Sequence, residues 1–444
     1  MRRLAVLLAA LVVLAAGAPA LVISAQDDPE AAECDETMPA PDPLPADAAA
    51  PPSSTGGLPD PLALMPLEVK IGQMLVAGVQ DTELGDDERA VIVDLHVGNV
   101  ILMGRNFDSP QQVLGLTQDL QRLALESNGV GLLIATDQEG GLVQRANSYA
   151  GFTPMPDAAT VGLARCPALL RQYGRMSGEE LAAVGVNWAM APVLDVNDNP
   201  TNPVIGALNR SFGTTPELVE EAALPFIAGL HDAGVMATGK HFPGHGATTA
   251  DSHKSLPFVE KSRADLEAVD IAPFRAAVAQ GIGAIMPAHV VYPALDPEEL
   301  PATVSAPIQT GLLREELGFT GLVVTDDMGM AGITELYPPE ESGVRAVLAV
   351  ADVLTCVRME TDGSCSPEML QPLRDGLLRA VAEGRVPVER IDASVRRILA
   401  TKARLAVGPA PDSDLRQIRG GEHMRILADV FAMVAVRQEE AGKP

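Results

Sequence analysis

Near its middle the chain reads Val235-Met236-Ala237-Thr238-Gly239-Lys240-His241, a short apolar run that ends in an ammonium group and an imidazole. A run of this length, followed by the Pro- and Gly-rich residues 243–246, is typical of a buried strand that leads into a loop. Similar apolar runs recur along the chain. Together the strand candidates are 74–79, 97–103, 132–137, 187–195, 235–241, 284–289, 322–326 and 351–356. The sequence therefore predicts eight strands.

Amphipathic segments of helical period separate most of these strands. They cover residues 110–126, 168–184, 216–233, 263–280, 307–317 and 367–382. Strands that alternate with helices pair in parallel, because each helix carries the chain back across the sheet. Eight such units predict an α/β fold of the (β/α)8 TIM-like barrel type, forming a single catalytic domain, rather than an open doubly wound sheet.

Polar side chains occupy the carboxyl ends of five candidate strands. These side chains are Asp137, Asp195, Lys240 with His241, His289 and Asp326. A closed barrel brings all its strand ends to one face, where the active sites of such barrels lie. An open sheet would bring together only the few residues beside its switch point. The distribution of polar residues therefore favours the barrel and predicts one site at its mouth.

The composition limits the kinds of partner that the protein can have. Its net charge of -27 repels a polyanion, so we expect no nucleic-acid partner. Hydrophobic residues make up 47% of the chain but aromatic residues only 3%. The core must therefore be built mainly from Ala, Leu and Val.

The first 25 residues have the pattern of an export signal. Arg2 and Arg3 precede an apolar run over residues 4–21, and small residues around Ala25 offer a cleavage point. An uncleaved N-terminal membrane anchor is the alternative, since the apolar run is long enough to span a bilayer. Either reading predicts a secreted protein or one associated with the cell envelope.

The rest of the chain divides into a linker, a domain and a tail. Residues 26–62 are rich in Pro, Ala, Asp and Ser without a hydrophobic period, which predicts a disordered linker. Residues 63–410 form the expected catalytic domain. Residues 411–444 are too few for a second domain and predict a C-terminal tail with one helix, at about residues 422–438. We expect the protein to be a monomer.

Four cysteines occur in the chain, and their spacing does not match a metal site. Cys356 and Cys365 lie close together in sequence and are the expected pair in an oxidising compartment. Cys166 is expected to be a buried thiol.

Two acidic elements could perform acid–base chemistry at the predicted mouth. Asp326 ends the seventh candidate strand and is positioned for nucleophilic attack, whereas its neighbour Asp327 is expected to be a structural partner. His253 follows Asp251 by two residues on a loop, so the carboxylate can hold the imidazole and stabilise its charged form. A nucleophilic acid combined with a proton donor is the requirement for cleaving a glycosidic bond.

Further polar residues at the mouth match the binding of sugar hydroxyls. Asp137 and Arg145 flank the third strand end, Arg210 lies in the long loop after the fourth, and Lys240 and His241 end the fifth. Carboxylates and guanidinium groups are good bidentate partners for hydroxyls. The tryptophan, Trp188, is expected in the core and not as a platform for a sugar ring.

Two motifs resemble those of family 3 glycoside hydrolases, specifically the single-domain bacterial β-N-acetylglucosaminidases. One is the segment 312–326, which ends in Thr325-Asp326, and the other is Lys240-His241-Phe242-Pro243-Gly244-His245-Gly246 with Asp251-Ser252-His253. The resemblance spans roughly residues 67–407. Leu142 and Ala146 depart from residues that are common in the family at the rim of the pocket.

The resemblance implies an activity and a role for each site residue. Asp326 would be the nucleophile, Asp251 and His253 the acid/base dyad, and Asp137, Arg145, Arg210, Lys240 and His241 the sugar-binding residues. The implied enzyme is a retaining exo-β-N-acetylglucosaminidase that acts on peptidoglycan fragments, or muropeptides, without a cofactor or metal.

Other functions remain open from the sequence. Phosphorolysis of N-acetylglucosaminides or β-glucosides is a close alternative, because a histidine repels phosphate less than a glutamate would; β-glucosidase activity is another. A metal-dependent barrel hydrolase would use His241, His245 and His253. A non-enzymatic alternative is an exported glycan-binding protein that has kept the barrel without catalysis.

Overall fold

The computed structural model of the protein describes Cys34 and residues 61–357, 367–410 and 414–442. Eight parallel strands form a closed barrel, which confirms the predicted fold. The barrel strands are β1 Leu75–Gly78, β2 Asn99–Leu102, β3 Leu133–Thr136, β6 Trp188–Ala189, β7 Met236–Phe242, β8 Ala284–Pro287, β9 Leu322–Asp327 and β10 Val353–Cys356. They follow one another around the barrel in this order, and β10 pairs with β1. The two strands numbered between β3 and β6 form a separate hairpin. Almost every strand residue is buried, as expected of parallel strands with both faces covered.

The fourth barrel strand is much shorter than the predicted segment 187–195. β6 contains only Trp188 and Ala189, and the chain then passes through Pro192, whose nitrogen has no proton to donate to a ladder. One isolated bridge between Val193 and Lys240 continues the contact with β7. Trp188 is fully buried and donates from Nε1 to Thr238 Oγ1 at 2.7 Å, which confirms its place in the core.

A two-stranded antiparallel hairpin follows β3 and was not expected from the sequence. Its strands are β4 (Gln138–Gly140) and β5 (Val143–Gln144). Gly140 and Gly141 form the turn with positive φ angles of 94° and 56°. An added Cβ at Gly140 would lie 2.2 Å from the carbonyl oxygen of Pro156, so the turn requires glycine there.

Helices surround the barrel. They are α1 Leu67–Gln73, α2 Asp86–Val93, α3 Pro110–Asn128, α4 Ala158–Gly162, α5 Pro167–Ala183, α6 Pro216–Asp232, α7 Ala272–Ala279, α8 Ala331–Thr334, α9 Pro339–Leu348, α10 Pro367–Ala382, α11 Val388–Arg404 and α12 Gly421–Ala441. The predicted helix 263–280 is divided into Arg263–Asp265, a π-helical turn Leu266–Asp270 and α7. The segment Pro307–Glu316 is also π-helical.

Two long helices begin where the sequence supplies a side-chain cap. Ser109 Oγ accepts from Gln112 N at the start of α3, and Thr215 Oγ1 accepts from Leu218 N at the start of α6, with proline at the first helical position in both. The predicted C-terminal helix is present as α12, which packs mainly on α5.

A disulfide joins Cys34 to Cys166, 132 residues apart in sequence. Cys166 is the residue before α5, and the prediction that it is a buried thiol was therefore wrong. Sequence spacing could not reveal this pairing, because a barrel brings remote segments together. The predicted bond between Cys356 and Cys365 lies outside the described residues, since Cys365 is not among them.

The predicted signal and almost all of the linker also lie outside the described residues. Across the helices that the structure does describe, none combines the length and apolarity needed to cross a bilayer.

Candidate active site

The carboxyl ends of the barrel strands surround a cavity of about 350 Å³. It is within the size range of small-molecule sites. All eight residues predicted to act on a sugar line this cavity: Asp137, Arg145, Arg210, Lys240, His241, Asp251, His253 and Asp326. They come from positions up to 189 residues apart, between Asp137 and Asp326, and the barrel closure brings them together.

One side of the cavity is a network of alternating charges. Lys240 Nζ lies 2.9 Å from Asp137 Oδ1 and 2.7 Å from Glu139 Oε1. Arg210 forms a bidentate pair with Glu139, with both N–O distances 2.8 Å, and Arg145 contacts Asp137 Oδ2 at 3.2 Å. Each cation therefore has a carboxylate partner, which fixes the donors and acceptors that face the cavity.

This network keeps both acids ionised. Burial alone would raise the pKa of Asp137 and Glu139, because it disfavours their charged forms. Lys240 and Arg145 outweigh burial at Asp137 and hold its pKa well below the ordinary value. At Glu139, Arg210 and Lys240 lower the pKa to about 2. The two carboxylates are thus hydrogen-bond acceptors for hydroxyl groups at neutral pH.

Sequence reasoning did not assign Glu139 to the site. It is 7% exposed and is the main partner of Arg210. A signal was present: an acid two residues after Asp137 points to the same side in an extended segment.

Asp195 orients His241 from beneath the cavity. It is fully buried, and its Oδ2 lies 2.7 Å from His241 Nδ1. Its Oδ1 accepts from the backbone N–H groups of His241 and His245 at 3.1 and 2.7 Å. Because the carboxylate only accepts, the His241 proton is assigned to Nδ1, and Nε2 remains for a ligand in the cavity.

Asp326 emerges near the end of β9 and is half-buried at the cavity. Burial would raise its pKa, but nearby His289, His241 and His253 outweigh this effect and lower the pKa to about 2. Asp326 Oδ1 accepts from the backbone N–H of Asp327 at 2.8 Å. Lys240 pairs with Asp137 and Glu139 and not with Asp326. The neighbouring histidines therefore keep Asp326 ionised, and it lines the cavity as a carboxylate.

The loop after β7 carries Asp251 and His253. Asp251 Oδ1 accepts from His253 Nδ1 at 2.8 Å and from the His253 backbone N–H at 3.0 Å. This arrangement assigns the Nδ1 proton to the hydrogen bond and leaves Nε2 to exchange a proton with a ligand. The buried Ser252 between them contacts His245 Nε2 at 3.1 Å, which fastens the loop to the barrel.

Two polar residues at strand ends are held by structural hydrogen bonds. His289 is buried with its Nε2 3.0 Å from the Asp327 carbonyl oxygen and its Nδ1 2.6 Å from Thr303 Oγ1. Asp327 Oδ1 accepts from the N–H groups of Gly329 and Val357, which agrees with the structural role expected of it.

The histidines are not arranged as metal ligands. His245 uses both ring nitrogens on hydroxyls, of Thr248 at 2.9 Å and Ser252 at 3.1 Å. Burial and neighbouring His241 lower its pKa to about 4. Across residues 61–357, 367–410 and 414–442, no three His, Cys, Asp or Glu side chains are grouped to hold a metal ion.

The closed barrel and its acidic mouth match a class of carbohydrate-cleaving enzymes. The chain belongs to glycosyl hydrolase family 3, since the profile of the family's N-terminal domain matches residues 66–401. It is a glycoside hydrolase.

Within this family, the chain is similar to several β-hexosaminidases and β-N-acetylglucosaminidases. A β-hexosaminidase from Alkalilimnicola ehrlichii is 40% identical over 308 residues, which are 68% of this chain and 84% of that protein. A family 3 β-N-acetylglucosaminidase from Paenibacillus sp. FPU-7 has 45% identity and a TM-score of 0.73; the match covers 77% of this chain and 63% of that longer one. A β-N-acetylhexosaminidase from Beutenbergia cavernae has 33% identity and a TM-score of 0.70, with 76% and 99% covered.

Proposed function

We propose that this protein is a retaining exo-β-N-acetylglucosaminidase that releases terminal β-linked N-acetylglucosamine from peptidoglycan fragments. The observation that carries the proposal is the presence of an ionised carboxylate, Asp326, and a carboxylate-held imidazole, His253, on one cavity. This pair provides the nucleophile and the proton carrier of a double displacement.

In the first step, an Asp326 carboxylate oxygen attacks the anomeric carbon of the bound sugar. The bond from that carbon to the glycosidic oxygen breaks, and His253 Nε2 gives its proton to the departing oxygen. A glycosyl ester on Asp326 remains. Asp251 stabilises the cationic imidazole before the transfer, because its carboxylate is 2.8 Å from Nδ1.

In the second step, neutral His253 accepts a proton from a water molecule. The water oxygen bonds to the anomeric carbon, and the ester bond to Asp326 breaks with its electron pair returning to the carboxylate. Two displacements at the same carbon retain the β configuration of the sugar. The enzyme returns to its initial state with His253 protonated.

The charge network of the cavity binds the sugar in this proposal. Asp137 and Glu139 accept from hydroxyl groups, whereas Arg145, Arg210 and Lys240 donate to their oxygens. His241 Nε2 is a further donor or acceptor, fixed by Asp195.

We further propose that the protein is exported to the cell envelope. The N-terminal signal pattern predicts export, and a disulfide between Cys34 and Cys166 persists in oxidising compartments outside the cytosol. Peptidoglycan fragments that carry β-linked N-acetylglucosamine are the expected substrates there.

Release of nitrophenol from 4-nitrophenyl N-acetyl-β-glucosaminide tests the proposal. The wild-type protein is expected to release nitrophenol, whereas the activity of Asp326→Ala and of Asp326→Asn should fall below detection. Asp119→Asn, which changes an exposed acid of α3, is the matched control and should retain full activity. Turnover by the Asp326 variants would refute this residue as the nucleophile.

A substrate panel separates the alternatives. The N-acetyl-β-glucosaminide, N-acetyl-β-galactosaminide, β-glucoside and β-xyloside are compared with and without phosphate, and EDTA is expected to leave the rate unchanged. A requirement for phosphate with a sugar 1-phosphate product would assign phosphorolysis. Binding of the glycan without turnover would instead favour a glycan-binding protein.

A further inference from the structure

Glu180 is a buried acceptor that joins three separate parts of the chain. It lies on α5 and is 2% exposed. Its Oε1 accepts from Thr153 Oγ1 at 2.6 Å, from the Arg419 backbone N–H at 2.7 Å and from His423 Nδ1 at 2.8 Å, and its Oε2 accepts from the Thr153 N–H at 2.9 Å. A buried carboxylate with four donors is costly to disturb, since each lost partner leaves a desolvated polar group.

One arm of this cluster leads to the cavity. The Thr153 carbonyl accepts from Gln144 Nε2 at 2.7 Å, and Gln144 Oε1 accepts from the Met155 N–H at 2.9 Å. Gln144 is the last residue of β5 and directly precedes Arg145. Its Nε2 also donates to the carbonyl of Ala146 at 2.7 Å, so the side chain of Gln144 holds the backbone on both sides of Arg145.

The other arm leads to the C-terminal helix. Arg419 and His423 belong to the turn before α12 and to its first turn. Burial alone would lower the pKa of His423, but hydrogen bonds and charges of Glu180 and Glu179 outweigh it and raise the pKa. The contact of α12 with Glu180 is therefore charge-assisted near neutral pH.

We propose that the C-terminal helix positions the substrate-binding Arg145 through the path His423–Glu180–Thr153–Gln144. Arg145 and its partner Asp137 then have a fixed place in the cavity, although α12 does not line it. The inference rests on the proposed sugar-cleaving function. Thr153, Glu180 and His423 are positioning residues, since none of them lines the cavity.

Steady-state kinetics of isosteric variants test this path. Thr153→Val keeps the shape of the side chain but removes its hydroxyl donor, and His423→Leu removes the imidazole donor. Thr153→Val loses one hydrogen bond to Glu180, and His423→Leu loses its bond to Glu180 together with the 3.4 Å contact of Nε2 with Glu179. We expect KM to rise by about 3- to 10-fold in each variant. We expect kcat to stay within about twofold, because Asp326 and His253 lie on other elements and only uniform sugar binding is weakened.

Two further variants serve as controls. His423→Asn keeps a donor near the position of Nδ1 and should restore the wild-type KM. Thr310→Val removes a threonine donor of the π-helical segment, which contacts the Ala349 carbonyl at 3.3 Å, and should leave KM unchanged. Thermal unfolding of all four variants shows how much general stability is lost.

An unchanged KM in Thr153→Val, even with a lower melting temperature, would overturn the proposal, as would equal losses in kcat and kcat/KM. A raised KM in Thr153→Val but not in His423→Leu would exclude the C-terminal helix from the path. If the wild-type protein does not cleave the substrate, the proposed function fails separately. Amide exchange at residues 144–146 then decides: faster exchange in both variants supports the path, and unchanged exchange refutes it.

Discussion

At the scale of single residues, the environment gives similar carboxylates different tasks. Asp326 faces the cavity with its pKa lowered to about 2, whereas Asp195 is buried beneath it and saturated by N–H donors of His241 and His245. Asp251 is half-buried and has an imidazole as its main partner. The first acid is suited to attack, the second to hold a ring, and the third to stabilise a charge.

Replacement of Asp251 by Asn should impair proton transfer more than binding. The amide oxygen still accepts from His253 Nδ1, but the negative charge that stabilises the imidazolium is lost. We expect kcat/KM to fall by about 10²-fold or more for a phenyl leaving group and much less for a dinitrophenyl group, which departs without a proton. Lys254→Gln, which alters the other partner of Asp251 at 3.2 Å, is the control. Equal losses with both leaving groups would contradict this role.

We expect buried Lys402 to make the free energy of unfolding depend on pH, independently of catalysis. It is buried on α11 and donates to Gln73 Oε1 at 2.7 Å and to the Gly98 carbonyl at 2.8 Å. Burial lowers its pKa from 10.5 to about 7. Between these values the unfolded chain binds the extra proton, so the free energy of unfolding rises with pH, by up to about 1.4 kcal/mol per pH unit.

Urea unfolding of wild type and Lys402→Met from pH 7 to pH 10 measures this contribution. The difference between the two proteins should grow with pH in favour of the wild type. Lys70→Met serves as the control, because its ammonium group has Asp392 at 2.7 Å. A constant difference between wild type and Lys402→Met would show that Lys402 stays protonated in the folded protein.

At the scale of elements, strand ends were more predictable than the segments between them. An apolar run followed by Lys240-His241 or Asp326 indicates both a buried strand and its polar end. The hairpin β4–β5 has too few residues for a periodic pattern, and Pro192 ends the ladder of β6 early. The spacing of Glu139 from Asp137 indicated its side of the chain, but its partners Lys240 and Arg210 could not be predicted, because they are brought near only by the closed barrel.

The disulfide between Cys34 and Cys166 should stabilise the fold measurably. It closes a segment of 132 residues and so restricts the unfolded chain. Cys34→Ser, Cys166→Ser and the double variant should each lose about 2–5 kcal/mol of unfolding free energy. Because one bond is removed in all three, the losses should be equal and not additive. Additive losses would show that the cysteines contribute independently.

At the scale of the whole molecule, the barrel is what converts sequence motifs into a site. The alternation of strands and helices predicted the closed sheet, and the structure confirms it with β10 paired to β1. The same closure explains why all eight predicted site residues line one cavity. Contacts such as Cys34–Cys166 and Glu180–His423 could not be predicted, because they depend on how outer helices and the N-terminal segment pack, which strand patterns do not encode.

The central claim is a sugar ester on Asp326, formed with His253 as the proton donor, and trapping that ester tests the claim most directly. In His253→Ala, a dinitrophenyl N-acetyl-β-glucosaminide can still glycosylate the enzyme, because its leaving group departs without a proton. Hydrolysis of the ester should be slow, because the variant has no imidazole to deprotonate the attacking water. Mass spectrometry of the quenched protein should then show one added N-acetylglucosaminyl group on the peptide that contains Asp326. Release of dinitrophenol without an adduct, or with the sugar on another residue, would contradict the account.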